Sequence, residues 1–248
     1  MKIEYPTNEQ IEKSVGIICR EGIEKRDTIY SFLKNMTFNL GIKNIFYGVY
    51  DVMLISLIVT GAVYTLFYFS INNLPHAEEK IYLFSFTFAP FMFALLFFLN
   101  FAKERTSDTF IIKMTCKYSF LHLLAYRMFV FSLLSVVVNS LYILVLFSDF
   151  KISFVTVISL SLSALFVYSL LLIAMLLKFS TLKPVIAFSV LWIAADILFY
   201  VYPKDFLMGL LKSVPLFVWM IIVAGAAILY FTSLPKLISK RRNEYAYS

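Results

Sequence analysis

Six stretches of close to 20 residues, at 52–71, 82–102, 128–148, 152–177, 184–202 and 213–234, are apolar on every side and constrain this chain more than any motif in it. Each is long enough to cross about 30 Å of hydrocarbon at a rise of about 1.5 Å per residue. A helix that is apolar all round has no face to show to water, so a soluble globule cannot carry six of them on its surface. A transmembrane barrel is excluded as well, because its strands would alternate apolar and polar positions over about ten residues. Composition agrees, with 61% of the 248 residues hydrophobic and 15% charged. The expected fold class is therefore all-α: a polytopic membrane protein with six transmembrane helices. Chain breakers stand at the joints this requires, at Asn72-Asn73-Leu74-Pro75, Ser148 to Lys151, Lys178 to Pro184 and Tyr202 to Asp205.

Orientation follows from the basic residues. Of the 22 Lys and Arg, 18 fall in the segment before Asp51, between Lys103 and Arg127, at Lys178 and Lys183, and from Lys236 to Arg242. Lys80, Lys151, Lys204 and Lys212 are the four left for the other side, so an even number of spans and the positive-inside bias together predict cytoplasmic termini. Three regions are expected: a cytoplasmic N-terminal region over 1–50, a six-helix transmembrane domain over 51–235, and a basic cytoplasmic tail over 236–248. The formal charge of +7 is accounted for by this topology, and no nucleic-acid partner is expected. Cys19 and Cys116 both fall on the cytoplasmic side, where thiols stay reduced, so neither a disulfide nor a metal cluster is expected. The first 50 residues are polar and lack the apolar core of a cleavable signal, which leaves the first span to target the chain.

Within the N-terminal region, residues 29–49 set Tyr30, Phe32, Leu33, Met36, Leu40, Phe46 and Tyr47 among Lys34 and Lys43. That pattern suits an amphipathic helix lying in the plane of the membrane surface, and a packed soluble hairpin with residues 8–26 is the alternative. The stretch from Lys103 to Arg127 carries the most information. Thr106 or Ser107 can cap a short helix with Asp108 in its first turn, and Phe110, Ile111 and Met114 then form one apolar stripe. Such a helix, held between two spans, is suited to docking a soluble partner; an ordinary loop helix has the same pattern.

This stretch also carries a resemblance. A span followed by Glu104, Ser107, Thr109 and Phe110, with Cys116 to Ser119 at the turn into the next span, resembles the segment after the second helix of ABC-2 type (type V exporter-like) ABC transporter permeases. It differs from the family pattern in having Asp108 where Gly is frequent and in lacking a Pro at the turn. In size and layout the chain is similar to small permeases of bacterial peptide exporters. The resemblance implies a permease in the bacterial cell membrane that pairs with a second six-span permease, of the same or a homologous chain, and with ATP-binding cassette subunits. Together these would move cargo such as amphipathic or antimicrobial peptides outward. It also implies a coupling-type helix at about 104–118, in which Glu104, Asp108, Thr109, Phe110 and Met114 meet the ATPase. No Gly-x-x-x-x-Gly-Lys-Ser/Thr segment occurs among the scattered glycines, so the chain is not expected to be an enzyme by itself; it would hold no cofactor, with ATP and Mg in the partner subunit.

Two polar residues inside spans complete the candidate set. Asp196 is the one acidic residue well inside a span, where an uncompensated charge costs at least about 2.5 kcal/mol; cargo or cation contact competes there with a hydrogen bond to a neighbouring helix or with snorkelling to water. Asn139, with Ser159, Ser161, Ser163 and Ser169 of the fourth span, is read first as interhelical glue. The aromatic run on span two, from Phe84 to Phe101, covers every face of a helix and is expected to meet lipid or neighbouring helices. Arg127 and Asp51, at span ends, are expected to be satisfied by headgroups or by each other. An intramembrane metalloprotease would use His76, Glu78, Glu79 and His122, but the topology puts His122 on the other side from the rest and supplies no third ligand. A non-catalytic membrane protein without an ATPase partner, such as an immunity factor, assembly partner or channel subunit, is the alternative from another class.

Overall fold

The structure is a computed structural model that describes residues 49–71, 77–106, 120–150, 153–179, 183–201 and 214–246, with Lys34, Thr37 and Phe38. Among these, the side chains of 77–79, 105, 120–122, 149, 196–201 and 237–246 are not described. The described residues form six helices and no strand: α1 Val49–Ile71, α2 Ala77–Arg105, α3 Phe120–Asp149, α4 Phe154–Lys178, α5 Lys183–Val201 and α6 Leu216–Ala246. Each coincides with one of the six apolar runs. Five are long and apolar enough to cross a membrane, and these mark the chain as a multi-pass membrane protein. The remaining helix, α5, is 19 residues long, and its described apolar part is the shorter stretch Lys183–Ala195.

Local chemistry sets the helix ends. Pro184 sits in the first turn of α5 and Pro215 immediately precedes α6, positions where a missing amide hydrogen and a fixed φ cost nothing. For that reason α6 starts at Leu216 rather than at 213. It then runs through Pro235 to Ala246, so residues 236–246 are helical and continuous with the last span. Ser153 ends its extended conformation at α4 and accepts a 2.9 Å hydrogen bond from the hydroxyl of Thr156. Thr106 closes the last turn of α2: its amide bonds Ala102 O at 3.1 Å and its hydroxyl bonds Ala102 O and Lys103 O, while the helix expected after it lies outside the described residues.

The bundle is arranged around α2 and α4. Helix α4 packs against α6, α2, α3 and α5, while α2 packs against α4, α3, α1 and α5. No residue of α2 from Lys80 to Phe101 is fully exposed: Phe88, Phe93 and Phe97 are buried against neighbouring helices, while Phe84, Phe86, Phe91, Phe98 and Phe101 are half-buried and keep a partial outward face. Phe93 and Phe97 are fully buried with Phe131, Leu165, Tyr168 and Tyr230 in the main core. A second core at the other end of the bundle joins Tyr64 and Ile71 of α1 to Ile81 and Phe88 of α2, Ile143 and Leu146 of α3 and Val157 of α4. There the Tyr64 hydroxyl donates to Tyr142 O at 3.1 Å, and the Phe67 and Phe84 rings stack. By contrast α1 and α6 present Leu54, Ile58, Leu66, Phe69, Phe217, Ile221, Ile228 and Leu229 outward as surfaces for lipid. Helix association in lipid gains little from apolar transfer, so van der Waals packing and interhelical hydrogen bonds carry it.

Candidate functional site

The most polar cluster among the described side chains lies where α2 ends and α3 begins. Asn100 and Glu104 are one helical turn apart on α2 and therefore share a face. Arg127 enters from α3, one residue after Tyr126. Its Nη1 donates to Glu104 Oε1 at 2.5 Å and to Asn100 Oδ1 at 3.0 Å. The three side chains are buried, with Arg127 at 1% exposure and Glu104 at 6%. Burial this deep separates the pair from surface ion pairs: removing either partner would strand a charge in a medium that cannot solvate it.

A second pair marks the rim of the same end. Lys103 Nζ donates to Asp51 Oδ2 at 2.6 Å, linking α2 to the start of α1, with both side chains largely in the open. Arg127 and Asp51, expected to be satisfied by headgroups or each other, thus take different partners, because α2 lies between α1 and α3 and supplies an opposite charge to each. Adjoining the cluster, the hydroxyls of Thr37 and Tyr126 stand 3.1 Å apart, which ties the N-terminal region to the first turns of α3. The Tyr230 hydroxyl of α6 donates to Met128 O at 2.9 Å and anchors the same turn from the opposite side.

Taken together, these contacts fix the two helix ends from which residues 107–119 depart. Of the expected coupling residues, Glu104 is in the last turn of α2, inside the buried pair. Asp108, Thr109, Phe110 and Met114 lie outside the described residues. Asp196 stands in α5, one turn beyond Trp192, and its side chain is likewise outside them. Asn139 is buried on α3, where its Nδ2 donates to Ser161 Oγ of α4 at 2.6 Å; this is the interhelical hydrogen bond expected of it. Across α4 and α5, the Tyr168 hydroxyl donates to Ser189 Oγ at 2.7 Å.

Asn100 was not anticipated. The signal available for it was its spacing of four residues from Glu104, as a polar residue near the end of the uncharged stretch 81–102 of that helix. Among the described residues, no group of three or more His, Cys, Asp or Glu could hold a metal ion. Comparison of the chain with protein-family models, with curated proteins and with solved structures gave no match.

Proposed function

We propose that this chain is the transmembrane permease subunit of a bacterial ABC exporter, with six spans, both termini in the cytoplasm and its ATPase in a separate chain. The observation that carries the proposal is the buried Asn100–Glu104–Arg127 cluster. It makes the ends of α2 and α3 one rigid base for residues 107–119, the segment whose Ser107, Thr109 and Phe110 resemble the coupling region of ABC-2 type permeases. A force applied to that segment by a soluble subunit would be delivered to two helices at once. Because α2 contacts α1, α3, α4 and α5, displacement of its end would move the bundle by rigid-body shifts rather than by local bending. On this reading α5 is the fifth span, residues 29–49 lie in the membrane plane, and a second six-span subunit completes the transport route for amphipathic peptide cargo.

The test is affinity purification of the chain from native membranes in mild detergent. An ATP-binding subunit should co-purify and hydrolyse ATP. In a second arm, the Asp108→Ala/Phe110→Ala variant should insert normally and lose stimulation of that ATPase by cargo. Isolation of the chain alone, with no nucleotide hydrolysis, would sink the exporter reading in favour of a membrane protein that works without an ATPase.

A further inference from the structure

Serines in membrane helices ordinarily satisfy their hydroxyls on the carbonyl one turn back. Ser132 does so on Phe129 O, Ser140 on Val136 O and Ser163 on Leu160 O. Three others do not. Ser85 on α2, Ser135 on α3 and Ser169 on α4 are buried at 2% exposure or less, and their hydroxyls have no hydrogen-bond partner among the described residues. The amide nitrogen of Asn100 shares this condition, although its oxygen is held by Arg127. These four groups belong to α2, α3 and α4, which pack against one another in every pairing; the indole nitrogens of Trp192 on α5 and Trp219 on α6, also without a partner among the described residues, lie outside that trio.

Their depths form a series. Arg127 bonds Asn100, which sets α2 and α3 level at that point, and Asn139 bonds Ser161, which sets α3 level with α4. From Asn100, a rise of about 1.5 Å per residue puts Ser169 at about 6 Å, Ser135 at about 12 Å, the Asn139–Ser161 pair at about 18 Å and Ser85 at about 22 Å. One polar group thus recurs at about every helical turn through most of the bundle. Because successive groups stand on different helices, the axial step of about 6 Å is a lower bound on their separation, and bridging it takes one or more waters at about 2.8 Å per O–H···O hydrogen bond. Buried groups without partners at that spacing are those that internal water satisfies, each such water needing two to four polar neighbours.

We infer that the α2–α3–α4 interior binds a file of water molecules on Asn100, Ser169, Ser135, Asn139 and Ser85, closed at one end by the Glu104–Arg127 pair. The file lies within a single copy of the chain. It requires only the helical membrane bundle and no ATPase partner, so it stands or falls separately from the exporter reading. Its ligand is water, held by hydroxyl and carboxamide groups of helices whose shared core includes Phe93, Phe97 and Phe131.

The experiment is radiolytic hydroxyl-radical labelling of the full chain in lipid nanodiscs, read by mass spectrometry. Radicals form from water in place, so a side chain beside bound water oxidises even when no bulk solvent reaches it. After correction for intrinsic reactivity, Phe93, Met128 and Tyr168, all buried, should oxidise at least tenfold faster than lipid-facing Leu133 and Leu229. In the Ser135→Ala/Ser169→Ala variant that rate should fall at least fivefold. Absence of oxidation at Phe93 and Tyr168 in the native chain would overturn the inference and return the serines to bonds with their own helices. Equal oxidation in native and variant chains would also overturn it, since water would then be present without these serines as its binding groups.

Discussion

Replacing Glu104 by Met while leaving Arg127 in place strips a guanidinium that is 1% exposed of its carboxylate. Breaking a buried pair from one side costs about 3–5 kcal/mol, because the surviving charge loses its counter-ion; Arg127 would keep the neutral Asn100 oxygen, which does not offset its charge. At about 1.4 kcal/mol per decade, that is about two to three and a half powers of ten in the folding equilibrium. Arg127→Met should cost a similar amount through the stranded carboxylate. The informative chain is the double variant Glu104→Met/Arg127→Met. It removes both charges and takes the donor from Asn100 Oδ1, a loss of about 1 kcal/mol. The double variant should therefore be more stable than either single one, with a coupling term larger than about 3 kcal/mol. Reversible unfolding in bicelles, by steric trapping of two biotin tags, gives all four free energies. Single variants within about 1 kcal/mol of the parent would refute the reasoning, because the pair would then behave as a solvated surface pair. A double variant as unstable as the sum of the singles would also refute it.

Three further outcomes follow from the packing and topology. Phe93→Ala opens a hole where α2, α3 and α4 meet and should cost about 3 kcal/mol, the low end of the range for soluble cores because lipid supplies no transfer term, as read by the same unfolding assay. Lys103→Ala removes an exposed pair with Asp51 and should cost less than about 1 kcal/mol, a difference that disappears at high salt in thermal scans. A membrane-impermeant maleimide should leave Cys19 and Cys116 unlabelled in intact cells and react with both in inverted vesicles; labelling in intact cells would reverse the orientation.

The helices were legible in the sequence because an apolar run as long as a bilayer is thick has few other solutions. Their arrangement was not. In a soluble protein the buried face of a helix is the apolar one, but lipid and protein neighbours are equally apolar. Phe88, Phe93 and Phe97 of α2, which are buried, therefore read the same as Leu54 and Ile58 of α1, which face outward. The serines of α4 hinted at its central place, since small polar residues allow close approach between helices. The partners of Arg127 were hidden for a different reason. Asp51 and Glu104 both lie at helix ends on the same side, and only the position of α2 between α1 and α3 decides between them.

The enclosed position of α2 also sets the order in which the chain can mature. During synthesis α1 and α2 emerge first, and α2 must rest with its aromatic surface against lipid or the insertion machinery until α4 arrives. Its most extensive neighbour is completed only at Lys178, and α6, which packs on α4, comes still later. The nascent protein thus passes through a long interval in which its future centre is its periphery. Chains truncated before Ser153 should accumulate as inserted, protease-sensitive intermediates rather than as a smaller stable bundle.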